Sequence, residues 1–122
     1  MYLKHRSAAD RKALMVACYL TLHPDATLER IGKYFSKSKT WAKMYKDRAL
    51  SGDTEWQWLK PSEWQVGDHV HTINHTLVVT TTGRTDRQVW ARVLRRNKQT
   101  ALQTFSEWQD RKWPVTRAEL VN

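Results

Sequence analysis

The spacing of apolar residues changes its period once along this chain, close to Ser51-Gly52-Asp53, and that change restricts the fold more than any other feature. Before it, apolar residues recur every three to four positions, the repeat of one face of a helix. After it, short runs rich in β-branched residues end at turn residues, as strands do. With 122 residues there is room for one ordinary domain or two very small ones. The pattern therefore predicts an α+β fold with helices first and strands second.

Three helices are predicted in the first half. Ser7 followed by Asp10 resembles a capping box, and Ala9, Ala13, Leu14, Val16, Ala17 and Leu20 follow at helical spacing, so the first helix covers about 8–22. His23-Pro24-Asp25 stops it. Thr27 is an N-cap for LERIGKYF, with Leu28, Ile31 and Phe35 on one face. Ser38 caps a third helix, KTWAKMYKDRAL, in which Trp41, Met44, Tyr45 and Leu50 are expected to face inward.

Strands are predicted beyond residue 64. Val66-Gly67-Asp68 turns into a first strand, and Leu77 to Thr82 ends at Gly83. Gln88 to Leu94 and the run QTALQTF follow on either side of a charged RRNK turn, and Val115 or Leu120-Val121 would close the sheet. Val89, Val93, Leu102, Phe105 and Trp108 also fit helical spacing. The short alternation of β-branched and aromatic residues favours strands there. The organisation read from this is a helical unit over 1–52, an acidic Trp-rich linker over 53–63 and a β module over 64–122.

Charge bears on function. The net charge is +9 and the isoelectric point about 10.0, a surface that attracts polyanions. Residues 1–50 hold eleven Lys/Arg against four Asp/Glu, residues 51–68 one against four, and residues 69–122 nine against four. Two basic blocks thus flank the acidic stretch.

Residues 27–48, TLERIGKYFSKSKTWAKMYKDR, resemble the helix-turn-helix of bacterial and phage repressors and of the promoter-reading end of sigma factors. Ile31 fills the apolar slot of the first helix and Gly32 the small slot where the helices touch. Phe35 precedes the turn, Ser38 starts the recognition helix and Tyr45 takes its late core position, while Ala42 stands at the mid-helix core slot where the pattern has Val or Ile. Ser36 and Lys37 stand where that pattern has glycine and an apolar residue. The resemblance implies a double-stranded DNA-binding transcriptional regulator of a bacterium, phage or mobile element. With Trp41 and Tyr45 inward, Lys39, Thr40, Lys43 and Lys46 fall on the outward side, with Lys37 in the turn and Ser38 at the helix start. Lysine neutralises phosphate, and a helix N-terminus favours it too. Arg6, Arg11 and Lys12 would extend that footprint.

Residues 64–121 more weakly resemble small SH3-like barrels, through Val66-Gly67-Asp68-His69-Val70 and the later VWARV strand. That resemblance implies a small antiparallel β-barrel that binds and does not catalyse. Arg84, Arg87 and Arg92 would lie on one hairpin with Arg95, Arg96 and Lys98 of its turn, where the last three are phosphate-contact candidates in the manner of a wing. The plainer reading of RRNK is a charged turn that discourages edge pairing.

Other signals point away from catalysis. His69, His71 and His75 are read as a polar strand face and not as metal ligands, since no cysteine stands near. Cys18 sits on the apolar pattern of the first helix and is expected in the core. Trp56, Trp58 and Trp64 suit packing between two small units better than base stacking. No nucleophile signature or phosphate-cradling glycine loop appears, so an enzyme is not expected and no cofactor is implied. No long apolar run or signal-like segment is present, and the single cysteine suits a reducing, cytoplasmic compartment. The expected partner is duplex DNA, with a homodimer as the usual way for a small reader to gain specificity. One alternative is a phage-type inhibitor or adaptor using the same basic surface on a host protein such as RNA polymerase or a defence nuclease. Another is RNA binding through the arginines and tryptophans of 84–113.

Overall fold

The computed structural model describes residues 7–81, 88–93, 102–106 and 110–117. Three helices come first: α1 (Ala8–Leu22), α2 (Leu28–Tyr34) and α3 (Lys39–Leu50). Each begins at a hydroxyl N-cap. Ser7, Thr27 and Ser38 accept hydrogen bonds from the backbone N–H of Asp10, Arg30 and Trp41 at 3.0–3.1 Å, which satisfies one orphan donor per helix.

The helices share one core. Ala13, Val16, Ala17, Leu20, Ile31, Ala42, Tyr45, Ala49 and Trp56 are buried in it. Alanines 13, 17, 42 and 49 are all fully buried in this core, in which α1 packs on α3. That packing corrects the expected inward set of α3. The buried stripe is Ala42, Tyr45 and Ala49, whereas Met44 and Leu50 are exposed. Met44 lies about 200° around the helix from Ala42 at 100° per residue, so the two cannot face the same core. Trp41 is half-buried between Phe35 and Tyr45, with the rings tilted and their centroids 5.6 and 4.8 Å away.

Among the described residues six strands follow: β1 (Gln57–Leu59), β2 (His69–His71), β3 (Thr76–Thr81), β4 (Gln88–Val93), β5 (Leu102–Ser106) and β6 (Trp113–Thr116). They form one antiparallel sheet in the order β1-β6-β2-β3-β4-β5. The stretch 88–106 is thus strands, not helix, in its described parts. Alternate residues Val70, Leu77, Val79, Val89, Ala91, Trp113 and Val115 make a second core, with Leu59 and Phe105 packed against it. A register shift between Val79 and Thr81 bends β3, as bulges do.

The sheet is coiled but open. β5 lies four pairings from β6, about 19 Å away in a flat sheet. Yet the rings of Phe105 and Trp113 are 5.6 Å apart, and Trp64 meets both edge-on at 5.1 and 6.4 Å. The three aromatics close the end of the core. Among the described residues no strand pairing joins β5 to β1, so the sheet does not close into the expected barrel.

The segment expected to be a linker carries β1 and a 3-10 turn, Pro61–Glu63. Trp56 is buried in the helical core, Trp58 packs against it, and Leu59 packs on the sheet core. α1 packs across β6, whose four residues are all buried. His71, expected on a polar exposed face, is also buried, with its ring nitrogens 2.8 Å from the Thr116 hydroxyl and 3.3 Å from that of Thr76. Cys18 is buried in α1. No helix among the described residues is long and apolar enough to cross a membrane.

Candidate nucleic-acid interface

The turn between α2 and α3 sets the geometry of the site. Phe35 ends α2, Ser36 has a φ of 58°, and Lys37 and Ser38 lead into α3. The left-handed backbone at Ser36 costs a non-glycine residue roughly 1 kcal/mol. The Lys37 N–H donates to the Gly32 carbonyl at 2.7 Å, locking the turn on α2. A Cβ at Gly32 would stand 2.7 Å from the Lys37 carbonyl oxygen and 3.0 Å from that of Ser38. Glycine is what permits this approach. Ser36→Gly is expected to raise stability by about 0.5 kcal/mol, because relief of the left-handed strain exceeds the added freedom of the unfolded chain. A lower thermal midpoint would show that the Ser36 side chain supports the turn.

This turn presents Lys37, Ser38, Lys39 and Thr40 together, all exposed, at the start of α3. Ser38 Oγ is engaged in the cap, so its hydroxyl has one lone pair already committed. Lys43 follows one turn on and is exposed. Two of these lysines have carboxylate neighbours: Lys39 Nζ is 3.7 Å from Glu29, and Lys43 Nζ is 2.8 Å from Asp47. Both pairs are well exposed, so each contributes at most about 1 kcal/mol and yields readily to a stronger anion. Arg48 reaches back from α3 to Asp10 of α1 at 2.8 Å, and Lys12 of α1 lies over the Tyr45 ring at 5.8 Å. These contacts brace α3 across α1.

Lys46 is placed differently from the other α3 candidates. It is half-buried and lines a groove on the flank of the helix. Lys39, Lys43, Lys46 and Leu50 are spaced four, three and four apart, so they run as a stripe down one side of α3 that sinks into this groove. Arg95, Arg96 and Lys98 lie outside the described residues, as do Arg6, Arg84 and Arg87. Arg11 is exposed at the opposite flank of α1, beside the β2–β3 turn.

Comparison with protein-family profiles, with curated proteins and with solved structures finds no match. The functional reading rests on the geometry of α2, the turn and α3.

Proposed function

We propose that this chain binds double-stranded DNA, with α2, the turn and α3 acting as a helix-turn-helix and α3 lying in the major groove. The observation that carries this reading is the turn. Close approach at Gly32 and left-handed backbone at Ser36 set two helices at a fixed angle and leave the first turn of α3 exposed. An exposed N-terminal turn bearing Lys37, Lys39 and Thr40, followed by Lys43, can reach phosphates and base edges together. Ser38 contributes its backbone and cap to the same end. The role implied is transcriptional regulation by binding, without catalysis. The coiled sheet, in an SH3-like arrangement, would add basic contacts beside the duplex.

The test is competition between a mixed-sequence duplex and single-stranded RNA of equal length, read by fluorescence anisotropy. Tighter duplex binding is expected, and a preference for RNA would overturn the proposal. One substitution is expected to strengthen binding. Asp47→Asn removes the carboxylate that holds Lys43 and repels phosphate. It is expected to tighten duplex binding about threefold at low salt. Unchanged or weaker binding would place Lys43 outside the footprint.

A further inference from the structure

A groove of about 880 Å³ lies where the helical part of the chain meets the sheet. Its apolar wall comes from three separate elements: Leu20 at the end of α1, Leu50 at the end of α3 and Trp58 of β1. The Trp58 indole is held in place by donating its N–H to the Ala49 carbonyl at 3.3 Å. Among the described residues, Lys46, Arg111 and Lys112 border the same groove against one acidic residue, Asp110. Among the described residues none of these three cations has an ion-pair partner. The volume is that of a site for a small organic molecule, and such sites favour seams between packed units.

We infer that this groove binds a small amphipathic anion, an aromatic or otherwise apolar body carrying one acidic group. Each part of the ligand has its counterpart. The apolar body covers Leu20, Leu50 and Trp58, burying surface that is otherwise wet, Leu50 being 55% exposed. The acidic group meets Lys46, Arg111 and Lys112, whose balance against Asp110 is positive. A neutral ligand would gain no attraction from those cations, and inorganic phosphate would leave the apolar wall uncovered. Polymeric nucleic acid tracks exposed phosphate contacts and does not require an apolar wall. The inference does not rest on DNA binding, since among the described groove residues Lys46 alone is also a candidate contact to the duplex.

The probe for this site is the anionic dye anilinonaphthalene sulfonate, compared with the neutral dye N-phenylnaphthylamine. The intact chain is expected to bind the anionic dye saturably at one site and more tightly than the neutral one. Leu50→Glu and Lys112→Glu are both exposed positions, so the fold tolerates them, and each sets a carboxylate against the bound anion. Each is expected to weaken anionic-dye binding about tenfold while cooperative thermal unfolding is retained. Lys33→Glu, exposed on α2 and away from the groove, is expected to leave dye binding unchanged. Equal affinity for both dyes, or dye binding indifferent to the two groove substitutions, would overturn the inference.

Discussion

Replacing Lys39 and Lys43 together by alanine is expected to reduce the slope of log affinity against log salt by about two in a duplex-binding titration. Each lysine that neutralises one phosphate releases about 0.9 of a condensed counterion, so its removal weakens binding by somewhat under tenfold at about 0.1 M salt. The double variant should therefore bind on the order of fifty-fold more weakly there and converge on the intact chain toward about 1 M. Stability should scarcely change. Both side chains are exposed and their pairs with Glu29 and Asp47 are of the weak surface kind. The combination of a lost salt slope and an unchanged unfolding midpoint identifies contact with phosphate. A double variant that binds duplex DNA like the intact chain across the titration would end the DNA-reading proposal.

Gly32→Val is expected to cost about 3 kcal/mol of stability, measured by denaturant unfolding. An ordinary helical glycine gains about 1 kcal/mol on replacement by alanine, and most larger side chains also improve on it. Here the neighbours are the carbonyl oxygens of Lys37 and Ser38, at 2.7 and 3.0 Å from the new Cβ. Both belong to the backbone, so no rotamer change relieves the overlap. The turn has to lift away from α2, which breaks the 2.7 Å hydrogen bond from Lys37 to Gly32. Because the turn positions α3, duplex binding should fall with stability. A midpoint equal to that of the intact chain would show that α2 and the turn do not approach as closely as described.

The helical half was legible because its signals are local. Ser7, Thr27 and Ser38 each stand before a run of helical periodicity, and a hydroxyl cap acts on an N–H only three residues away. Gly32 was read as the small residue where two helices touch, whereas the backbone it meets is that of Lys37 and Ser38 in the turn. Ser36 was marked as standing where the pattern has glycine, and the structure shows the consequence, serine holding the left-handed backbone that glycine adopts freely. The inward set of α3 was half wrong. Hydrophobicity marks Met44 and Leu50, but the packing of α1 on α3 decides that alanines fill the contact.

The sheet was legible by region and less so by pairing. Strands over 69–71, 76–81 and 113–116 follow short β-branched or aromatic runs. β1 carries no such mark. Its three residues sit in an acidic, Trp-rich stretch, and they are a strand because β6, far along the chain, pairs with them. The same long-range pairing turns an expected linker into the part of the chain that joins the two cores, through Trp56 on one side and Leu59 on the other.

Local sequence determined the three helices, their caps and the exposure of Lys37, Lys39, Thr40 and Lys43, because capping and helical period act within a few residues. Only the tertiary structure decided that the sheet stays open, that His71 is buried and that Lys46 leaves the outward face for a groove shared with Arg111 and Lys112. Those outcomes depend on which surfaces meet across the chain. Strand pairing and core packing select those surfaces collectively, and no window of neighbouring residues contains that information.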